Sequence, residues 1–342
     1  MAKRQGLADL AAAAGVSLAT VDRALNGREA VSATTRALIL EAARRVGHPA
    51  LVRLTGQVSR GSGPELRLGV MLHKQGQDFY KAFAETLNRT LTQIPGLRAR
   101  LVLEFSGSQS PSDMANLMRA MAGRCDVLAA TAVNHPEVTA AVEELRAEGV
   151  RVVALLSEFA PGARAGYLGL DNLKIGRVAG WVTTLSARAP GKVLLFVGGH
   201  RWHGHELREA GFRAYLREAA PHLQMLETVV NLETRHLTYE TTLAALRRHD
   251  DLRGIYVAGG GMEGAIAALR VSRRPGEVAM VVPALTPDSR AGLADGFVTL
   301  VTDTPLDRLC RALFTGMAAM VESRAEFGQI FLPPDIHLPE GL

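Results

Sequence analysis

What is scarce in this chain narrows the field first. Only two cysteines occur, Cys125 and Cys310. That is too few for a disulfide framework, and a reducing, cytoplasmic setting is the expectation. No uninterrupted apolar run approaches the roughly 18 residues of a membrane span, so no membrane partner is expected. A secretory leader is not expected either. The first residues, MAKRQGLADLAAAAGVS, are basic and then alanine-rich, but Asp9 breaks the apolar run. The run then meets a helix stop instead of a cleavage site. His200, His203 and His205 cluster in FVGGHRWHGHELREAGF, yet HELRE is not HExxH and no fourth ligand is evident. No metal is expected; one of these histidines is expected to bond a ligand and the others to be solvated. Gly259, Gly261 and Gly264 satisfy G-x-G-x-x-G after a strand. About 20 residues on, Val281 to Pro283 offer no acid for a ribose, and the motif lies far from the first βα unit. No nucleophile–base pair is legible. An enzyme is therefore not expected, and the expected cofactor set is none.

What is present is an ordinary globular composition with an uneven charge. Of 342 residues, 47% are hydrophobic and 21% charged, room for two or three domains. Residues 1–60 hold nine basic side chains and four acidic ones, an excess that equals the whole net charge of +5. A basic head on a neutral body points to a polyanionic partner for the head. Leu7, Leu10 and Ala14 recur at helical spacing. Gly15 sits where the chain must leave that helix. Ser17 caps a second helix over about 18–25, with Val21 and Leu25 inward and Asn26-Gly27 as its stop. Ser32 caps a third helix, 33–46, with an inner stripe of Leu38, Ala42 and Val46. Helix, tight turn, helix and support make a helix-turn-helix. The competing reading is a small alanine-rich cap with solvated arginines.

In a helix-turn-helix the outer face of the second helix meets base edges. Here that face is Leu18, Ala19, Asp22 and Arg23. Arg23 can pair in bidentate fashion with guanine, while Leu18 and Ala19 can touch only thymine methyls. Ser17, Thr20, Ser32 and Thr34 suit phosphates. The stretch GLADLAAAAGVSLATVDRALNGREAVSATTRALILEAARRVG resembles the DNA-binding head of the lactose-repressor (LacI/GalR) family over about 45 residues, matching at Ala14-Gly15-Val16-Ser17, Thr20-Val21, Arg23, Leu25-Asn26, Val31-Ser32 and Thr35-Arg36. The resemblance adds Asn26 and Arg36 to the DNA-facing set. The family usually has Ser at Asp22; an Asp there repels phosphate and can accept from cytosine N4. The implied partner is a palindromic double-stranded operator, read by a homodimer.

Residues 49–64 turn towards Gly, Ser and Pro as a linker does. The family places a minor-groove hinge helix there. Leu51 or Leu54 is the candidate wedge and Arg53 a phosphate contact; a flexible tether is the alternative. From residue 65, strand-like runs alternate with amphipathic helices, the pattern of parallel sheets covered by helices. The expected architecture is an all-α helix-turn-helix head over 1–48, then an α/β body of two doubly wound parallel-sheet lobes. The first lobe is expected over 65–165 plus 304–325 and the second over 166–303 plus 326–342, with GYLGLDNLKIGRVAGWV as the first crossing. This body resembles the periplasmic-binding-protein-like sensor of the same family.

Ligands of such sheets bind at the carboxyl ends of strands. After the first strand stand Lys74, Asp78, Phe79 and Tyr80, polar groups with two rings able to stack on a sugar. Asn134 and Ser157 follow later strands. Asp171 begins the crossover helix, where it is equally a helix cap. Trp202 offers a stacking face. The resemblance implies a ligand-gripping arginine at Arg208 and a hydroxyl-binding role for Asp303. Most of the family has Asn-Asp where this chain has Gly259-Gly260, whose backbone N–H groups, at a helix start, can instead face an anion. The expectation is a ligand-controlled DNA-binding regulator, a repressor by resemblance, with a sugar or polyol as effector. The rival readings are a solute-binding protein and a nucleotide-binding Rossmann-type enzyme.

Overall fold

A computed structural model describes residues 6–25, 31–46, 48, 65–187 and 189–342, with only the backbone of 33, 34, 36, 37 and 46. Asn26, Leu51, Arg53 and Leu54 lie outside the described residues, as do the side chains of Thr34 and Arg36.

The head is three helices, α1 (Leu7–Ala14), α2 (Leu18–Leu25) and α3 (Ala33–Val46). Gly15 follows α1 at φ 67°, the left-handed conformation that glycine adopts without a Cβ clash. Its N–H reaches back to the carbonyls of Ala11 and Ala12. The Ser17 hydroxyl accepts from the Thr20 N–H at 3.2 Å, and Ser32 accepts from the Thr35 N–H at 3.1 Å. These caps satisfy donors that a helix start leaves open. Leu10, Ala11, Val21, Ala24, Leu25, Ile39, Ala42 and Ala43 form the core. The expected stripe on α3 is corrected by one position. Leu38 is 49% exposed and Ile39 is buried in its place; Leu38 also has helical spacing to Ala42, but the face that enters the head's core is centred on Ile39, Ala42 and Ala43. Arg45 Nη2 donates to the Ala13 carbonyl at 2.7 Å and ties α3 to the end of α1.

The body holds two sheets. The first orders its strands β12-β5-β4-β3-β1-β2, with β1 (Leu66–His73), β2 (Ala99–Ser106), β3 (Val127–Ala130), β4 (Arg151–Leu155), β5 (Gly166–Leu170) and β12 (Gly328–Leu332). The second orders β13-β11-β10-β9-β6-β7. Its strands are β6 (Gly191–Val197), β7 (Leu223–Met225), β9 (Leu252–Val257), β10 (Ala279–Val282), β11 (Leu300–Asp303) and β13 (Asp335–His337); β8 (Val229–Val230) also pairs with β6. Pairing is parallel from β3 to β4, β4 to β5, β6 to β9 and β9 to β10, while β13 closes the second sheet antiparallel to β11. Strands buried on both faces explain their nearly unbroken apolar runs. Within the apolar run LETVVNL (226–232) only the two-residue β8 is strand; β7 ends just before it at Met225.

The lobe boundaries move. GYLGL is a fully buried strand of the first sheet, so the first crossing follows Leu170 and does not precede Gly166. Its glycines mark close packing, not a loop: a Cβ on Gly166 would stand 2.3 Å from the Gly328 carbonyl oxygen. The chain returns at Thr304-Pro305 into α12 (Leu306–Glu322), which packs on β3 and β5. β12 also belongs to the first sheet, so the last crossing is at Pro333-Pro334 and not near 326. Among the described residues no helix is long and apolar enough to cross a membrane. Cys125 and Cys310 are buried and unpaired, and burial pushes their thiols up to about 11 and about 12.

Two helices of the second lobe cross on glycine. They are α7 (Asn172–Ser186), capped by Asp171, and α8 (His203–Ala219). A Cβ on Gly176 would stand 2.0 Å from the Arg208 carbonyl oxygen, and one on Gly211 2.1 Å from that of Leu173. Backbone meets backbone here, so neither helix can yield by a rotamer change. Gly176→Ala and Gly211→Ala should each lower the body's stability by about 1–3 kcal/mol, read as a drop of several degrees in Tm. Gly107→Ala, which meets nothing within 4 Å, should leave Tm unchanged; equal Tm values for all three variants would refute the close approach.

Candidate functional site

On the head, Ser17, Leu18, Ala19 and Arg23 are exposed, Thr20 and Asp22 half-buried, and Ser32 exposed. Leu18 is 50% exposed, unusual for a leucine on a helix whose other side is packed. Arg23 Nε donates to the Ala19 carbonyl at 3.1 Å, so the guanidinium folds along its own helix. Ser17 and Thr20 share a 2.7 Å hydroxyl contact, and Ser32 and Thr35 one of 2.8 Å. The two serines thus serve the helix starts in this state.

In the body, a cavity of about 380 Å³ opens between the lobes at the carboxyl ends of the strands. Of the residues expected from sequence, Asp78, Phe79, Tyr80, Ser157, Trp202, Arg208 and Gly259 are on its wall. Four are not. Lys74 lies beside the cavity and donates from Nζ to the Leu232 carbonyl at 2.5 Å. Asn134 Oδ1 accepts from the Ala160 N–H, a loop brace. Asp171 caps α7 through the Lys174 N–H at 3.1 Å and pairs with the Lys174 ammonium. Asp303 accepts from the Thr304 N–H at 2.9 Å, and Thr304 takes the wall position. Asp171 and Asp303, short side chains next to strand ends, find local partners before they reach the cavity.

Residues that sequence reasoning missed complete the wall. They include Thr131, Asn172, Glu233, Arg235, Glu263 and Asp288. α4 (Asp78–Gln93) supplies Asp78 and the rings of Phe79 and Tyr80. Arg208 is held by neutral acceptors: Nε donates to Asn172 Oδ1 and Nη1 to the Ala258 carbonyl, both at 2.8 Å. The α7–α8 glycine crossing thus sets both ends of that contact. Of the three histidines, His205 alone reaches the wall; its Nδ1 accepts from the Gly198 N–H at 3.2 Å, so its proton sits on Nε2. His203 faces Glu206 at 3.1 Å. Among the described residues no three His, Cys, Asp or Glu side chains could hold a metal ion.

The lobes touch across the cavity. Lys74 and Gln77 reach from the first lobe to the Leu232 and Glu233 carbonyls, and Ser157 Oγ accepts from the Gly204 N–H at 3.1 Å. Backbone strain gathers there too: Lys74, Leu156, Leu232 and Glu233 have φ of 38°, 63°, 50° and 55°. Left-handed backbone costs a non-glycine residue about 1–3 kcal/mol and persists only where surrounding contacts hold it. Burial dominates the electrostatics. It lowers His73 to about 4, aided by Lys74, and His205 to about 3, aided by Arg208 and His73. It raises Glu233, against the pull of Lys74, and raises Glu263, whose neighbours Asp288 and Asp78 push the same way.

Residues 68–313 match the periplasmic binding protein domain family, and residues 6–49 match the bacterial regulatory proteins of the lacI family. The chain belongs to the periplasmic-binding-protein family and carries a lacI-family head. The HTH-type transcriptional regulator MalR of Streptomyces coelicolor is 31% identical over 211 residues, 60% of this chain and 57% of that protein. The regulator reg1 of Streptomyces lividans is 29% identical over 62% of this chain and 59% of its own length. The matches thus span less than two thirds of either regulator. GanP, a glucose-galactose binding protein from Geobacillus stearothermophilus, superposes with a TM-score of 0.73 at 14% identity, covering 82% of this chain and 99% of that one. A solute binding protein from Burkholderia graminis in complex with D-arabinose gives 0.74 at 16%, over 82% and 98%. At these identities the fold alone is shared.

The two buried histidines of this periplasmic-binding-protein body make its stability pH-dependent. Their folded pKa values lie below the unfolded 6.5, so the unfolded chain binds protons that the folded chain refuses. Stability should fall as pH drops from about 6.5 towards 4, by about 2 kcal/mol per histidine between pH 6.5 and 5. Glu233 works in the opposite sense, since its raised pKa favours the folded state at low pH. The Tm of the wild type should decline more steeply below pH 6.5 than that of His205→Gln; parallel declines would show that His205 is not buried neutral.

Proposed function

We propose that this chain is a DNA-binding transcriptional regulator whose affinity for its operator is set by a small molecule held between the two lobes. The observation that carries the reading is the fusion itself: a lacI-family head with an exposed outer face on α2, followed by a two-lobed body with a walled cavity. The basic excess of residues 1–60 adds a field that draws the head to a polyanion. The names of the two Streptomyces relatives support the same reading.

In the finer form of the proposal the protein is a cytoplasmic homodimer and a repressor. Two heads then meet two half-sites of a palindrome, one per protomer. The side chains offered to bases are Leu18, Ala19, Asp22 and Arg23, and those offered to phosphates are Ser17, Thr20 and Ser32. Arg23 must leave the Ala19 carbonyl to reach a base. Its second state costs one exposed hydrogen bond, a cost of about 0.5–1.5 kcal/mol that a bidentate contact to guanine more than offsets. A sugar or polyol effector suits a cavity with two rings and mixed polar walls. Effector that binds one lobe arrangement better shifts the population of that arrangement, and operator affinity moves with it.

Fluorescence anisotropy with duplexes from the DNA flanking its own gene tests the reading. Affinity should fall steeply between 50 and 200 mM salt, by about 10³-fold or more if six or more phosphates are contacted. Arg23→Ala should cost roughly 1–3 kcal/mol on the preferred duplex and little on a scrambled one. An equal loss on both would make Arg23 a phosphate contact, and no salt-sensitive duplex binding would end the proposal. Arg208→Ala should keep duplex binding and lose the effector response.

A further inference from the structure

Glu233 stands apart from the rest of the cleft. Its side chain is 7% exposed, yet among the described residues no cation is within hydrogen-bond distance. Oε1 accepts from the Gly260 N–H at 3.2 Å and lies 3.8 Å from His205 Nε2. Oε2 has no hydrogen-bond partner among the described residues. Its neighbours are His73 Nε2 at 3.7 Å and Lys74 Nζ at 3.9 Å. His73 cannot supply the missing proton while its ring is neutral. Its Nδ1 lies 3.0 Å from the Ser106 carbonyl and must carry the hydrogen there. Its Nε2 is therefore a second buried acceptor, also without a partner. With the carboxylate ionised, two acceptors face each other, and leaving both unpaired is unfavourable. On the same wall, Trp202 Nε1 and Thr131 Oγ1 are buried without partners among the described residues, the first a donor and the second able to do either.

Groups that give and take hydrogen bonds within one small rigid molecule satisfy this set, and adjacent hydroxyls do so without charge. An anion would gain Arg208 but meet Glu233 and Glu263, neither of which has a cation within hydrogen-bond distance among the described residues, whereas Asp288 is paired with Arg235 and Asp78 with Lys81. An ammonium would meet Arg208, whose charge is not neutralised by its own partners Asn172 and Ala258.

The main chain links this carboxyl to lobe closure. Leu232 and Glu233 both adopt left-handed backbone, and first-lobe side chains hold both their carbonyls, Lys74 on the one and Gln77 on the other at 3.0 Å. Glycine makes the room. A Cβ on Gly259 would stand 2.5 Å from His205 Cε1 and 3.1 Å from Glu233 Oε1, and one on Gly198 2.5 Å from Glu233 Cγ. The Gly259-Gly260 pair is thus the space that Glu233 and His205 occupy.

We propose that Glu233 is the specificity-determining residue of the cleft. It accepts a hydrogen bond from a hydroxyl of an uncharged polyhydroxylated effector, and its strained main chain ties that contact to lobe closure. The proposal rests on the effector reading of the cleft given above. The full chain is titrated calorimetrically with neutral compounds (D-glucose, D-galactose, D-xylose, D-arabinose, D-mannitol and myo-inositol) and with charged counterparts (D-gluconate, D-galacturonate, glucose 6-phosphate and D-glucosamine). At least one neutral compound should bind, with its charged counterpart at least tenfold weaker. Glu233→Gln keeps the shape, but its amide can donate to His73 and closes the unpaired set internally. It should bind the neutral compound at least tenfold more weakly. Binding by Glu233→Gln within threefold of wild type overturns the proposal. So does a charged compound that binds as well as its neutral parent, or a failure of all the neutral compounds. Should the variant not fold, the wild-type series still decides. The same ligand is then added to the duplex assay: a Glu233-dependent ligand that leaves duplex affinity unchanged refutes the regulator reading while upholding this one.

Discussion

Three passages of chain between the sheets, after Leu170, at Thr304-Pro305 and at Pro333-Pro334, are the constraint on which the body depends. Three covalent links leave the lobes one easy relative motion, an opening about the links. Every strand that ends on the cleft does so at its carboxyl end, so the loops from both sheets converge on one volume. The same links explain why β12 and β13, five and three residues long, matter. Each adds an edge strand to a different sheet, and together they seal the last crossing.

Within that frame the cleft is a place of stored cost. Four residues with left-handed backbone, two neutral histidines and a buried carboxyl lie around one cavity. None of these adds stability by itself. They persist because the surrounding cores are well filled. The first lobe packs Met71, Met114, Met118, Leu128, Phe159 and Tyr167 together, and the second packs Phe196, Ile255, Met280 and Leu293 on one face of its sheet. A fully buried side chain of this size contributes about 1.5–3 kcal/mol. A few of them offset the strain at the cleft.

How much of this was legible in the sequence depended on whether the signal was local. Gly15, Ser17 and Ser32 announce a turn and two caps within four residues of their partners, and the structure places them so. Leu38 and Ile39 both keep helical spacing with Ala42, and the head packing that buries Ile39 is not written in the local sequence. GYLGL was placed on the wrong side of the crossing because what fixes it is distant: the Gly328 backbone that Gly166 abuts lies more than 150 residues away. Arg208, Trp202 and the Asp78–Tyr80 segment were visible as polar or aromatic groups at strand ends, and they do line the cavity. Glu233 was not visible. Nothing in LETVVNLETRH marks one glutamate over another; burial, strain and the opposing His73 come from contacts with residues far along the chain.

Trp202 precedes the first turn of a second-lobe helix, yet its indole is 3% exposed and packs into the apolar core of the first lobe, 5.3 Å from the His73 ring. The chain's other tryptophan, Trp181, is 49% exposed on the outside of α7. The molecule therefore carries one indole that any parting of the lobes must bring into water and one that is already there. Its emission spectrum is a built-in gauge of the cleft: the blue-shifted component belongs to the joined state, and its red shift measures how far the lobes have come apart.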